Sequence, residues 1–149
     1  MKYLVVATPE ELELPEAFLS KRRKIVTGVG GVNVLRALDK LSRNADILNV
    51  GYAGSQWYAK GTPVRIGTCR LYHPNCEYKE PSFTLDTESD ALCLTAGDFV
   101  TGGLLPARSV VDMELAYIAA MGFRVKAVKY VSDNLNYEEY EKLIASDKR

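Results

Sequence analysis

The chain has 149 residues, with Lys+Arg and Asp+Glu balanced at 19 each. A chain of this length fits one domain and buries roughly 70% of its unfolded surface, enough for a core without a second unit. The balanced charge gives no pull onto nucleic acid or an anionic membrane, and no segment approaches membrane-spanning length. The apolar run within Met1–Thr8 is too short for a signal peptide, so a cytoplasmic protein is expected. Cys69, Cys76 and Cys93 are an odd number without paired spacing and read as reduced thiols. Cys69-x3-His73-x2-Cys76 is not a standard zinc spacing, so neither metal nor cofactor is expected.

Lys2 to Thr8 reads as a buried first strand, followed by the acidic break Pro9-Glu10-Glu11-Leu12-Glu13-Leu14-Pro15. Acidic residues there suit the first turn of a helix and also supply a carboxylate at the strand's end. The basic run Lys21-Arg22-Arg23-Lys24 reads as a solvated strand entrance. Ile25-Val26-Thr27 then runs into Gly28-Val29-Gly30-Gly31 and a helix whose apolar face is expected at Val32, Leu35, Leu38 and Leu41. Glycines let the backbone approach a ligand or simply make a close-packed turn. With Asn33 where a third glycine is needed, and no Gly-Lys-Ser/Thr, neither nucleotide-binding fingerprint is met.

Asp46–Val50 is the next strand, with Gly51-Tyr52-Ala53-Gly54-Ser55 expected as a loop at its carboxyl end. The strand, helix, strand order implies parallel pairing. Extended chain is expected from Gly61 to His73 on the pattern Val64, Ile66, Cys69 and Leu71, with a short strand at Ser82–Leu85 and an apolar strand at Ala91–Thr95. A loop over Ala96-Gly97-Asp98-Phe99-Val100 follows, its phenylalanine able to stack on a base or to cover the core edge. Near the C-terminus, Asn136 and Glu139 have capping-box spacing, and Tyr137, Tyr140 and Ile144 share a helical face, which predicts a closing helix.

Between these regions lies the stretch on which the chain's chemistry is expected to centre. Val111-Asp112-Met113-Glu114 reads as the head of a helix whose body, Leu115 to Met121, is apolar nearly all round and therefore buried, with Gly122 ending it. The strand from Arg124 to Val131 then meets Ser132-Asp133-Asn134, expected to leave the sheet as a polar turn. Ligands of open α/β sheets bind outside the carboxyl ends of strands, which gives Asp133 the position of a functional carboxylate.

In order along the chain, Thr27-Gly28-Val29-Gly30, Gly51-Tyr52-Ala53-Gly54, Ala96-Gly97-Asp98-Phe99-Val100, Val111-Asp112-Met113-Glu114 and Val131-Ser132-Asp133 resemble the nucleoside phosphorylase superfamily. The resemblance is strongest to its methylthioadenosine/S-adenosylhomocysteine nucleosidase branch, in shortened form. It implies a three-layer α/β/α fold with a central mixed sheet, a purine nucleoside as substrate, and a homodimer. It further implies Asp133 as general acid at the purine N7, Glu11 acting on the attacking water, and Glu114 holding ribose hydroxyls. Met113 would pack on the sugar, Phe99 stack on the base and Val100 read its edge, with Gly54 and Ser132 beside the substrate. The acid must hold its proton near neutral pH to help the base depart, which burial or neighbouring carboxylates favour. Asn49 stands where many phosphorylases place a phosphate-binding arginine, so hydrolysis is expected over phosphorolysis. The alternatives are a phosphorylase and a non-catalytic nucleoside-binding protein on the same fold.

Overall fold

The structure, a computed structural model, describes residues 1–74, 80–98, 100 and 103–135. Strand β1 (Lys2–Val6) leads into a 3-10 turn over Pro9–Glu13 and a short helix α1 (Pro15–Phe18), followed by β2 (Arg23–Val26), α2 (Gly31–Leu38) and β3 (Asp46–Gly54). The second half contains β4 (Pro63–Arg65), β5 (Thr68–Leu71), β6 (Phe83–Thr84), β7 (Leu92–Thr95) and β8 (Ser109–Asp112). Helix α3 (Leu115–Ala120) and β9 (Arg124–Asp133) complete it. The predicted C-terminal helix from Asn136 lies outside the described residues, as does Cys76.

The strands form one mixed sheet. β2, β1, β3 and β9 lie parallel, and β9 pairs along the whole of β3, from Asp46↔Arg124 to Gly54↔Asp133. β5, β7 and β8 are parallel to one another, and β8 meets the end of β3 antiparallel at Gly54↔Val111. β4 pairs antiparallel with β9, and β5 with β6. Gly54 is thus the junction of three strands.

Alternation along the strands separates the two faces. Val5, Ile47, Ala127 and Val131 share a buried cluster with Val34 and Leu38 of α2 and Leu115, Ala116, Ile118 and Ala119 of α3. Leu4, Val6 and Val50 instead pack with Ala17 of α1 and with Leu12 and Leu14 beside it. Helical segments therefore cover both faces, giving the expected α/β/α fold around a mixed sheet.

Four local expectations are corrected. The face of α2 is Val34 and Leu38, with Leu41 packed just past its end, while Val32 is 70% and Leu35 48% exposed. Steps of three fall short of a 3.6-residue turn, so Val32 and Leu41 point to opposite sides of a helix. β3 continues through the stretch expected as a loop, because glycine and alanine at positions 51, 53 and 54 let β9 and its polar side chains lie alongside. Ser132 and Asp133 likewise stay in β9, across a register shift at Ala53/Gly54. Asp112 ends a strand, β8, instead of opening a helix, and Glu114 is the residue that precedes α3.

A carboxylate cluster at the carboxyl end of the sheet

Beyond β1, Thr8 and Glu11 form a capping box around the 3-10 turn. The Glu11 carboxylate folds back under the sheet: Oε1 accepts from Ala7 N–H at 2.8 Å and Thr8 N–H at 3.1 Å, and Oε2 from Tyr52 N–H at 2.8 Å. It passes through the space that a side chain at residue 51 would fill, for a Cβ on Gly51 would lie 2.7 Å from Glu11 Oε2 and 3.4 Å from Lys129 Nζ. The first strand, the third and the ninth therefore meet around one carboxylate and one ammonium.

Lys129 is 1% exposed, paired in register with Gly51, and its Nζ donates to Asp112 Oδ2 at 2.9 Å. Asp112 also accepts from Thr95 Oγ1 at 2.6 Å, Leu115 N–H at 2.8 Å and Glu114 N–H at 3.3 Å, so it caps α3 from the end of β8. Thr95 completes the cap by accepting from Ala116 N–H at 2.9 Å. Burial opposes a charge on Asp112, but Lys129 and these hydrogen bonds outweigh it and lower its pKa. Burial would likewise lower the pKa of Lys129, yet Asp112 in front, with Cys93, Glu114 and Glu11 further off, raises it. The pair is a closed, ionised unit.

Glu114 is built differently. The glycine loop, for which approach to a ligand and a close-packed turn were both open, packs on this residue: Gly30 N–H donates to Glu114 Oε2 at 2.8 Å. Gly31 rests against the ring of Tyr117, where a Cβ would come within 2.6 Å of ring atoms. Burial, then the charge of Asp112, pushes the Glu114 pKa up to about 7, against the opposing pull of Lys129 and the Gly30 hydrogen bond. Among the described residues this carboxyl changes protonation state near neutral pH.

Asp133 is 1% exposed at the end of β9. Its Oδ1 accepts from Leu135 N–H and its Oδ2 from Ser132 Oγ, both at 2.8 Å. The turn that allows the first bond puts Leu135 at φ 65, stabilised by burial of its side chain with Val100 and Val111. Gly54 opposite gives the carboxylate its room, since a Cβ there would lie 2.8 Å from Asp133 Oδ1 and collide with Leu135. Of the other predicted site residues, Val100 is buried, Met113 and Ser132 are half-buried, and Phe99 lies outside the described residues.

No family model matches the sequence, and no curated protein matches it by sequence. Solved structures do match. The futalosine hydrolase of Helicobacter pylori superposes with a TM-score of 0.72 at 14% identity, over 97% of this chain and 89% of that one. The 5′-methylthioadenosine/S-adenosylhomocysteine nucleosidase of Streptococcus pneumoniae, solved with a transition-state inhibitor, superposes with a TM-score of 0.73 at 20% identity, over 97% and 91%. The corresponding nucleosidase of Neisseria meningitidis gives 0.69 at 15%, over 95% and 90%. The chain has the nucleosidase fold.

On that nucleosidase fold, Glu11, Glu114 and Asp133 stand at the carboxyl ends of β1 and β9 and at the head of α3, a shared edge of the sheet. The sequence reading did not single out Lys129 or the capping role of Asp112. Lys129 sits in the alternation of β9 at an inward position, between Ala127 and Val131, and that parity was the available signal. The arrangement leaves acceptor positions open on Glu114, can exchange a proton there near neutral pH, and keeps a buried carboxyl at Asp133.

Proposed function

We propose that the protein is a purine nucleoside N-glycosidase that hydrolyses the bond between base and ribose, with methylthioadenosine, adenosylhomocysteine or a related nucleoside as substrate. The observation that carries this reading is the edge shared by three buried carboxylates, Glu11, Glu114 and Asp133, on a nucleosidase fold. In this reading Asp133 donates its proton to N7 of the purine as the C1′–N9 bond breaks, and positive charge develops on the ribose. Glu114 holds the ribose hydroxyls, with Met113 against the sugar, Phe99 on the base, Val100 at the base edge, and Gly54 and Ser132 beside it. Water adds to C1′ and gives up its proton to Glu11. A carboxylate has about four acceptor positions, and Glu11 uses three on backbone N–H groups, which leaves one for the water.

Hydrolysis is favoured over phosphorolysis by the charge of the site. Lys129 is the buried cation among the described residues, and it is engaged with Asp112. A phosphate dianion would need a cation not already neutralised. Cytoplasmic residence, one domain over residues 1–149 and a homodimer complete the proposal. No helix among the described residues is long and apolar enough to cross a membrane. Exposed Val29, Val32 and Leu35 around the glycine loop offer an apolar face for a second copy.

The test is release of free base from methylthioadenosine, adenosylhomocysteine, adenosine and inosine, with and without phosphate. Base and free sugar without phosphate are expected; ribose 1-phosphate formed only with phosphate would establish the phosphorylase. Binding of a nucleoside without cleavage would leave a non-catalytic binding protein. Asp133→Asn is expected to lower turnover by at least about 10²-fold, the usual share of a general acid, with folding retained. Unchanged turnover would remove Asp133 from the mechanism.

A further inference from the structure

The opposite end of the sheet holds a cleft that the proposed reaction does not use. A cavity of about 570 Å³ opens between Ser82–Leu85, around β6, and Arg124–Lys126 at the start of β9, with Ala119 and Phe123 behind it. Asp133 lies nine residues beyond Arg124 on the same strand, so the cleft is about 30 Å from the carboxylate edge by strand rise.

The cleft arises where β4 bends into β5. One edge of this bent run is held by β9 as far as Ile66, whose N–H donates to Ala127 O, and then by β6 from Gly67, whose O accepts from Leu85 N–H. From there β9 follows β3 away from β6, which leaves two strand edges facing a common gap. Backbone groups of successive residues point to opposite sides of a strand. Arg124 N–H bonds Ala45 O on the β3 side and Ala127 O bonds on the β4 side, so the N–H and C=O of Val125 face the cleft. Leu85 N–H turns in towards Gly67, so those of Thr84 face outward.

The side chains give the cleft a sign. Arg124 and Lys126 are exposed and join no ion pair among the described residues. Arg43 adds a third cation, its guanidinium 5.0 Å from the centre of the Phe123 ring. The acid in the lining, Asp46, is held by Arg22 at 2.6 Å. Phe83, Leu85 and Phe123 supply apolar surface between these charges. Cations along an open edge repel another basic edge and so protect against indiscriminate pairing, but they favour an acidic strand.

We propose that this cleft takes an extended acidic peptide segment of a partner protein, added as a strand against the free edges of β6 and β9. The probe is a short fluorescein-labelled peptide of alternating glutamate and leucine, compared with its lysine and leucine counterpart by fluorescence anisotropy. The acidic peptide is expected to bind, and to weaken as salt rises. The doubly substituted Arg124→Glu, Lys126→Glu protein is expected to prefer the lysine peptide. Thr84→Pro removes the outward N–H without touching the pairing to β5, and is expected to weaken binding at least tenfold with an unchanged circular dichroism spectrum. Equal binding of both peptides, or full affinity in Thr84→Pro, would overturn the proposal. So would displacement by glutarate at the peptide's own concentration, which would mark a small-dicarboxylate site.

Discussion

Asp112 and Glu114 are two residues apart, both buried, and they behave in opposite ways. Asp112 accepts from Lys129, Thr95, Glu114 N–H and Leu115 N–H, which fills about all four acceptor positions of a carboxylate, and its pKa falls. Glu114 accepts from Gly30 N–H, and its pKa rises to about 7. Burial is shared, so the difference lies in partners. A buried carboxylate with every position filled is part of the framework. One with open positions and an unsettled proton has capacity left for a ligand, which is the argument for giving Glu114 and not Asp112 to the substrate.

The most direct way to break this comparison is to take the partner from Asp112. Lys129→Met leaves a fully buried carboxylate without its cation, and a loss of about 3–5 kcal/mol in urea unfolding is expected. Adding Asp112→Asn should recover more than half of that loss, because no unpaired charge then remains inside. A double variant as unstable as the single one would show that the lysine acts through packing, and would remove the charge argument.

A smaller effect is expected at the third carboxylate. Asp133 has two partners, Leu135 N–H and Ser132 Oγ, and depends on the space at Gly54. Gly54→Ala is expected to cost about 1–3 kcal/mol through overpacking, and to lower turnover more than Ser132→Ala, which removes a partner without crowding the carboxylate. If Gly54→Ala is as stable as the parent, the packing of Leu135 over this site is looser than the close contacts require.

Much of this arrangement was readable from the chain. The apolar runs Leu4–Val6 and Leu92–Leu94 carry their strands in composition alone, and the apolar helix after Glu114 is followed by Gly122 at φ 92, a conformation suited to glycine. What was not readable depended on partners distant in sequence. Gly51 and Gly54 look like loop residues until β9 is beside them, because their value to the sheet is the side chain they lack. Ser132 and Asp133 look like a turn for the same reason, with their polar groups satisfied by Leu135 and by each other. The role of Asp112 required Lys129 from β9 and Thr95 from β7, neither of them local. The error on α2 was of another kind, since a strict count of 100° per residue would have separated Val32 from Leu41.

The mildest test concerns the proton of Glu114. A carboxyl whose folded pKa lies above its ordinary value near 4.5 gives the folded state an advantage below that value, and the advantage is lost as pH rises towards about 7. Asp112 has the opposite sign: its lowered pKa contributes stability above the ordinary carboxylate range, lost as pH falls through the lowered value, so it leaves the window between pH 5 and 7 flat. Unfolding free energy measured across that window should therefore decline with pH, with a slope no steeper than about 1.4 kcal/mol per pH unit for one proton. Glu114→Gln keeps the shape and the oxygen that can accept from Gly30 N–H, but carries no proton to lose, so its profile should be level where the parent declines. Parallel profiles would assign the slope to another group and weaken the distinction between the two carboxylates. A level profile together with lost base release would tie the unsettled proton of Glu114 to the proposed reaction.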